Sequence, residues 1–492
     1  MTGAVHRDSY RGGSVVAIAL VLVSTVVSAQ ELVFVRLPVA AVEPANPAPE
    51  GRCLDGSRIV RLSTDGTEVS MTNGFFAACD PAVSFDGEQI LFAGRRSIDD
   101  RLQVWRMDAS GGNVVRITDD PGEATSPLWV GSLFHLDDVA PTQRIAYLAT
   151  GHGWVDGRTG KPALALYTSD IDGAHPLRIS YHLGSDFAPD VLANGRLVYT
   201  WRRGEDDGGR ARCAVMAVNN DGTDLMAFDD DLDGSLVPRA VRVGHDGRVY
   251  FVEADARPPL GGGDLAFVTL RRPLHSRTLL AAASGGAYLD PLPLVDGGLL
   301  VSFRPPGLNA VYGLYRIDPA TGERLDLVHG EEGVHILDAH ELAPHPMVKG
   351  RSSVVDTSKK TGIFFCISSH ITDRKGLERL AAGGTSTLRV IEGVPATNAS
   401  GPGERTLGEA PIESDGSFQI EVPAGVPLRF EIVDGRGMEV AEQVSWTWVM
   451  PREWRGCIGC HEDREMVAPN TLAEAFVKPA VRIGRSEEVH EP

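Results

Sequence analysis

Hydrophobic and polar residues alternate along most of residues 31–348, the pattern of half-buried β-strands. The pattern recurs in units of roughly 45 to 60 residues. One part of each unit is a strand pair led by a proline, as where Asp80-Pro81 precedes residues 83–93. The other part is a pair of strands around a tight turn, as at Asp172-Gly173. Asp-Gly between alternating strands is a strong hairpin signal.

Units of this length with about four strands each predict the blades of a β-propeller. Six outer hairpins can be counted, so we expect six blades, with seven as the alternative. Residues 32–36 lack a proline-led partner, and residues 335–346 form a single inner strand. These two segments are predicted to share one blade and close the ring, because closure removes exposed sheet edges.

A second, smaller β domain is predicted after a polar linker at residues 349–362. Strands are expected at 362–367, 387–391, 417–422, 427–433 and 444–449, which fit a small β-sandwich. The predicted fold class is therefore all-β. The predicted division is a signal peptide at 1–29, a propeller at 30–350, a sandwich-like domain at 351–450, and an attachment segment and tail at 451–492.

The first 29 residues have the pattern of an export signal. Arg7 and Arg11 precede an apolar run at 15–27, and Val27-Ser28-Ala29 offers small residues before a cut at Gln30. The run is too short to span a bilayer comfortably, although an uncleaved membrane anchor is the alternative. The mature chain is expected in the periplasm or otherwise exported, and not membrane-spanning.

Composition narrows the possible partners. Hydrophobic residues make up 42% of 492 residues, enough for the cores of two or three domains. The formal net charge of −19 disfavours nucleic acid as a partner. The motifs of serine hydrolases and phosphate-binding loops do not occur in the sequence.

Six cysteines are present, and four lie outside the motif described next: Cys53, Cys79, Cys213 and Cys366. In an oxidising compartment these four allow three pairings. Cys53 and Cys79 are close in sequence and are the first candidates for a disulfide. Buried thiols are an equally reasonable interpretation for some of the four.

The run RGCIGCHEDRE contains Cys457-x-x-Cys460-His461. Two thiols at this spacing can each form a thioether with one haem vinyl group, and the adjoining histidine can then bind the iron. The motif therefore predicts one covalent haem c, with His461 as the proximal iron ligand. A redox disulfide and a zinc site are the alternatives, although no second Cys pair follows downstream to complete a zinc site.

The second axial position of the haem iron decides between electron transfer and ligand chemistry. The sequence does not select among an open site and seven candidate ligands: His335, His340, His345, Met347, His370, Met450 and Met466. Three tryptophans, Trp446, Trp448 and Trp454, either line the haem pocket or belong to the sandwich core.

A second metal pattern is weaker. Asp229-x-Asp231-x-Asp233-Gly234 resembles the start of a Ca²⁺ loop, but Ala240 stands where the twelfth-position glutamate is expected. A solvated acidic turn between blades is the favoured interpretation, with Ca²⁺ as the alternative.

Two stretches carry a family resemblance. DPAVSFDGEQILFAG followed by QVWRMDASGGNVVRIT resembles TolB-type propeller repeats. The order of propeller, small β domain and SWTWVMPREWRGCIGCHEDRE resembles the alpha subunit of hydrazine synthase. The resemblance implies haem attachment at Cys457, Cys460 and His461. That family's alpha subunit has a second haem motif further on, whereas this sequence contains one.

The expected function is that of an exported c-type haem protein with a redox or electron-transfer role and a redox partner protein. One alternative is a haem enzyme, hence an oxidoreductase, that acts on a small nitrogen or oxygen compound. The other is a propeller that binds or scaffolds without redox chemistry. The resemblance does not by itself transfer the reaction of hydrazine synthase, because one fold can support many functions.

Overall fold

The computed structural model describes residues 30–42, 53–135, 138–157, 159–205, 211–229, 237–254, 260–307, 309–372, 386–398, 401–443, 445–460 and 467–484. The predicted signal peptide lies outside these residues. About half of the described chain is strand, and its helices are short 3₁₀ turns at Val39–Ala41, Pro273–His275 and Glu474–Val477. None of the helices in these ranges is long and apolar enough to cross a membrane.

Six sheets form a six-bladed propeller, as the sequence predicts. From the inside outwards, blade 1 contains β24 (Val334–Glu341), β1 (Leu32–Pro38), β2 (Arg58–Leu62) and β3 (Glu68–Ser70). Blade 2 contains β4 (Ala77–Val83), β5 (Gln89–Arg95), β6 (Gln103–Asp108) and β7 (Val115–Arg116). Blade 3 contains β8 (Ala124–His135), β9 (Thr142–Ala149), β10 (Ala165–Asp170) and β11 (Leu177–Arg178).

The other three blades repeat this order. Blade 4 contains β12 (Asp186–Val191), β13 (Arg196–Glu205), β14 (Ala211–Asn219) and β15 (Met226–Asp229). Blade 5 contains β16 (Val237–Val243), β17 (Arg248–Ala254), β18 (Asp264–Thr269) and β19 (Thr278–Ala281). Blade 6 contains β20 (Ala287–Pro293), β21 (Leu299–Arg304), β22 (Gly313–Ile317) and β23 (Arg324–His329).

The ring closes within blade 1. Strands β1 and β24 pair antiparallel, from Leu32 opposite Glu341 to Pro38 opposite Val334. The predicted sharing of one blade by the first and last propeller strands is therefore confirmed. A disulfide between Cys53 and Cys79 also joins the β1–β2 connection of blade 1 to β4 of blade 2. Cys213 and Cys366 are buried.

The outer hairpins follow from local turn chemistry. Gly173 and Gly222 have φ of +89° and +86°, a left-handed conformation that glycine adopts without steric cost. The preceding Asp172 accepts a hydrogen bond from the Ala174 N–H, and Asp221 accepts one from the Thr223 N–H. Such side-chain bonds stabilise the turn before any tertiary contact forms.

Each innermost strand also contains a bulge. In all six, one non-glycine residue has a left-handed backbone with φ between +48° and +51°: Asp80, Ser126, Ala188, Ala240, Asp290 and Asp338. The pairing register shifts at each of these positions. A bulge re-aims the following side chains, so the six bulges determine what faces the channel of the propeller.

Two four-stranded sheets form the predicted β-sandwich. One sheet has the order β32 (Trp454–Cys457), β26 (Thr361–Cys366), β29 (Phe418–Pro423) and β33 (Val481–Arg482). The other has the order β28 (Gly403–Pro411), β27 (Ser386–Val394), β30 (Leu428–Asp434) and β31 (Glu439–Glu442). Phe364, Phe418 and Phe430 pack edge to face between the sheets.

The domain boundaries differ from the sequence-based division in two places. The predicted linker contains β25 (Arg351–Ser353), which adds to blade 3 in parallel with β8. The predicted attachment segment supplies β32 and β33, so residues after 450 complete the sandwich. These strands were missed because each is short and pairs only with distant parts of the chain.

We expect Phe34→Ala to destabilise the propeller by about 3–5 kcal/mol. The Phe34 side chain is fully buried in a cluster that includes Leu292 and Leu300 of blade 6, so truncation leaves a cavity where the ring closes. Guanidinium unfolding measures the change. Val69→Ala in the same blade is the control, because Val69 is half exposed. Equal unfolding midpoints for the two variants would contradict the role given to this closure.

Candidate functional site

Cys457 is the last residue of β32, the edge strand of its sheet. Strand β32 pairs in parallel with β26, so that Ile363 lies opposite Trp454 and Cys366 opposite Cys457. Residues opposite each other in a parallel pair face the same side of the sheet. Cys457 therefore faces the sandwich core beside Cys366, whereas Trp454 faces outwards and is largely exposed.

Backbone hydrogen bonds continue the pairing past the end of β32. The Ile367 N–H donates to the Cys457 carbonyl oxygen at 3.0 Å, and the Ser368 N–H donates to that of Ile458 at 3.1 Å. The Cys460 N–H then donates to the Ile371 carbonyl oxygen at 2.9 Å. Both cysteines are half-buried and pack against the sandwich core. The segment 457–460 is thus held along the segment 367–371.

Two glycines allow this close approach. Gly456 lies against the Phe365 ring, and a Cβ at Gly459 would collide with the Ile371 carbonyl oxygen. In the run Arg-Gly-Cys-Ile-Gly-Cys, each cysteine therefore directly follows a glycine at which the chain packs closely against its neighbour.

The two described groups of the motif, the Cys457 and Cys460 thiols, fit the attachment of haem c. Cys457 and Cys460 are two thiols that both remain partly accessible at the edge of the sandwich. Thioether formation needs this type of group at this spacing. His461 and Met466 lie outside the described residues.

The remaining candidate axial ligands fall into three places. His335, His340, His345 and Met347 belong to the propeller or to the chain that leaves it, and Met450 is buried against Gly222 of blade 4. His370 instead lies in the segment that holds Cys460, with its ring packed on Gly416. His370 is therefore the described candidate that the fold brings next to the cysteines.

The three tryptophans have different environments. Trp448 is fully buried at the contact between sandwich and propeller, where its Nε1 donates to the Gly222 carbonyl oxygen at 3.0 Å. Trp446 packs on Gly393 of the sandwich. The sequence-based interpretations of these side chains, haem pocket or sandwich core, both miss the role of Trp448 between the domains.

Trp448 contacts a buried polar cluster of the propeller. Its ring packs edge to face on His182, which stacks on Trp201 at 4.2 Å between centroids. His182 Nε2 lies 3.0 Å from the Tyr199 hydroxyl and 4.0 Å from Asp186 Oδ1. The Ser180 hydroxyl lies within hydrogen-bonding distance of Asp186 Oδ2, at 2.5 Å.

His182 and Asp186 are close but are not an ion pair at neutral pH. Burial, assisted by the nearby Arg178 charge, holds the pKa of His182 well below its ordinary value. Burial raises the pKa of Asp186 to about 8, because the stabilising effects of Ser180 and Arg178 do not offset the lost hydration. Both groups are therefore neutral at pH 7.

Other candidate sites gain no support from the described part of the chain. Asp229 ends β15, and residues 230–236 of the predicted Ca²⁺ loop lie outside the described residues. Ala240, at its twelfth position, is the bulge residue of β16. No group of three or more His, Cys, Asp or Glu side chains within the described ranges is arranged to hold a metal ion.

Comparison with known proteins bears on the segment that carries the cysteines. Residues 369–462 match the family model described as the hydrazine synthase alpha subunit middle domain. Hydrazine synthase subunit alpha of Kuenenia stuttgartiensis is 23% identical over 513 residues, covering 83% of this chain and 62% of the relative. This chain resembles the alpha subunit of hydrazine synthase.

One solved structure supports the fold of this hydrazine synthase alpha-like chain. The Kuenenia stuttgartiensis hydrazine synthase structure superimposes with a TM-score of 0.78 at 20% identity, covering 91% of this chain and 71% of that chain. TolB from Acinetobacter baumannii gives a TM-score of 0.42 at 15% identity, covering 63% of this chain and 66% of that chain.

Sequence reasoning missed the polar cluster of the hydrazine synthase alpha-like chain. The residues belong to three segments, around 180–186, 199–201 and 448, and no motif links them. The only hint of this cluster in the sequence is the occurrence of Tyr199 and Trp201 in one strand. That hint does not predict that His182 and Asp186 are buried, because their burial depends on how the sandwich packs on the propeller.

We expect Asp186→Asn to become progressively more stable relative to the unchanged chain as pH rises from about 4 to 8. Asp186 holds its proton in the folded state over this range, whereas an unfolded aspartate releases it near pH 4. The unchanged chain then loses up to about 1.4 kcal/mol of unfolding free energy per pH unit relative to the variant. Chemical denaturation at pH 5 and pH 7.5 measures the difference.

Asp326→Asn is the matched control for this comparison, since Asp326 is exposed on β23. The titration of His182 is common to both chains and cancels in the difference. A pH-independent difference between Asp186→Asn and the unchanged chain would show that Asp186 is ionised in the folded protein.

Proposed function

We propose that this chain is an exported c-type haem protein with a redox or electron-transfer role. One haem is attached through thioethers to Cys457 and Cys460, with His461 as the proximal iron ligand. The observation that carries the proposal is the pair of half-buried thiols held at the end of β32, within the segment that matches the hydrazine synthase alpha middle domain.

The haem, when bound, supplies one-electron chemistry at its iron. The chain's own contribution is to position the two thiols. Hydrogen bonds to Ile367, Ser368 and Ile371 fix the backbone on both sides of the motif, and the packing of Cys457 and Cys460 on the sandwich core fixes their side chains. A fixed attachment point suits electron transfer. The transfer rate falls steeply with the distance between haem and redox partner, so that distance has to be kept constant.

His370 would be the second protein ligand of the haem iron. It lies on the segment paired with Cys460, and the other described candidates are in the propeller or buried at its contact with the sandwich. An iron with histidine on both sides favours electron transfer over substrate binding.

Export and assembly are part of the proposal. The N-terminal pattern of Arg7, Arg11 and the apolar run at 15–27 supports export, which haem c maturation requires. The similarity to a synthase subunit supports association with further subunits. The proposed electron-transfer role requires a redox partner in addition. The chain spans 62% of the relative's length, so these partners are inferred for this chain and not transferred from the relative.

A haem enzyme is the second candidate function. The similarity to hydrazine synthase subunit alpha favours it, with a small nitrogen compound as the substrate class. This function needs an open iron position, whereas electron transfer works with a filled one.

We expect a pyridine haemochrome spectrum and intact mass to show one covalent haem per chain after export in a host that matures haem c. Cys457→Ala and Cys460→Ala are each expected to lose or weaken this attachment, because each thiol bonds one vinyl group. Cys213→Ala, in the propeller, is the control and should retain it. Absence of covalent haem from the unchanged chain would refute the proposal and leave a binding or scaffold propeller.

The spin state of the iron separates the two haem functions. We expect a low-spin spectrum that becomes high-spin in His370→Ala, because the variant loses the second axial ligand. His345→Ala is the control, since His345 lies in the chain that leaves the propeller. A high-spin iron in the unchanged chain would support the enzyme, and a low-spin iron in His370→Ala would exclude His370 as the ligand.

A further inference from the structure

Aspartates of the innermost strands join neighbouring blades around the channel of the propeller. Asp80 of blade 2 accepts hydrogen bonds from the Ser126 backbone and hydroxyl of blade 3 at 2.9 and 3.1 Å. Asp190 of blade 4 accepts one from the Val243 N–H of blade 5 at 2.7 Å. Asp290 of blade 6 accepts one from the Asp338 N–H of blade 1 at 2.9 Å. At three alternate blade junctions, an aspartate of one innermost strand thus accepts a backbone N–H of the next.

A cavity of about 770 Å³ occupies this channel. Its volume is within the range of small-molecule sites in proteins. We call it the channel cavity, and its walls combine apolar side chains, among them Phe85, Trp129 and Phe187, with charged groups.

The chain that leaves the propeller borders one end of the channel cavity. His345 donates its backbone N–H to Phe85 of blade 2, and the Lys349 N–H donates to Ala193 of blade 4. The intervening Pro346, Met347 and Val348 also line the cavity.

Negative charge dominates the lining. Five carboxylates, those of Asp80, Glu123, Asp190, Asp338 and Glu341, face the cavity, against the two guanidinium groups of Arg95 and Arg242. Both guanidinium groups already have carboxylate partners, Asp55 and Asp338 respectively.

Asp190 lines the cavity at the junction of blades 4 and 5, where its two carboxylate oxygens accept the Val191 and Val243 N–H groups at 2.8 and 2.7 Å. Burial raises its pKa despite the nearby Arg242 charge and two backbone hydrogen bonds. His245, His340 and His345 also line the cavity. A bound cation would stabilise the charged form of a carboxylate that burial disfavours.

We propose that the channel cavity binds a small organic cation, an ammonium group carried on an apolar body. Asp190 holds the ammonium group, and the apolar walls cover the rest of the molecule. Anions are repelled by the excess of carboxylates, and neutral molecules lack the positive charge that would pair with Asp190. This site is separate from Cys457 and Cys460 and does not depend on haem.

Calorimetric titration of the full chain at pH 8 tests the proposal with three probes of one shape: 2-phenylethylamine, 2-phenylethanol and phenylacetate. The amine is expected to bind saturably, with the alcohol about tenfold or more weaker and the carboxylate weaker still. Equal binding of amine and alcohol, stronger binding of the carboxylate, or no saturable binding of the amine would each overturn the proposal.

The variant Asp190→Asn assigns the site. Asparagine keeps an oxygen that can accept the Val243 N–H but removes the charge, so we expect about tenfold or more weaker amine binding and unchanged alcohol binding. Asp65→Asn changes the net charge equally in an exposed turn and should bind the amine like the unchanged chain. A melting curve verifies that Asp190→Asn is folded. Folded Asp190→Asn with undiminished amine binding would refute the assignment.

Discussion

Glu453 joins the two domains at the point from which the cysteine-bearing strand begins. Its buried carboxylate accepts the Asp224 N–H of blade 4 and the Met450 N–H of the sandwich segment, each at 2.7 Å. Burial raises the pKa of Glu453. The two backbone donors and the nearby Arg455 charge offset part of the free-energy cost of burying its carboxylate. Strand β32 starts at the next residue, so its register and the positions of Cys457 and Cys460 depend on this contact.

The buried contact between the domains combines polar and apolar parts. Trp448 and Met450 enter one core cluster with Tyr199, Trp201 and Met216 of the propeller. His182 and Asp186 lie within it as neutral groups, which avoids the larger cost of burying separate charges. A docking surface of this kind holds the sandwich in one orientation, because both the apolar packing and the hydrogen bonds must be satisfied together.

The same backbone bulge occurs in all six innermost strands of the propeller. A left-handed residue in each innermost strand turns the following side chains towards the channel, and in three blades an aspartate near this point bonds the next blade. The same local geometry therefore supports closure of the ring and leaves a cavity rich in carboxylates. The haem proposal concerns the sandwich, whereas the cation proposal concerns the propeller, and the two can be tested separately.

The sequence by itself determined the repeat, the six blades, the sharing of blade 1 by the two ends of the propeller, and the sandwich. These features depend on alternation of hydrophobic residues and on Asp-Gly turns, which are local. It also defined Cys457-x-x-Cys460-His461 as a candidate haem motif, because the spacing of the ligands is itself local. Only the tertiary structure decided that β32 pairs with β26, that His370 is beside Cys460, and that His182 and Asp186 are buried. Each of these depends on contacts between residues distant in sequence. The first two arise within the sandwich and the third from docking of the sandwich on the propeller, and no period or motif records either.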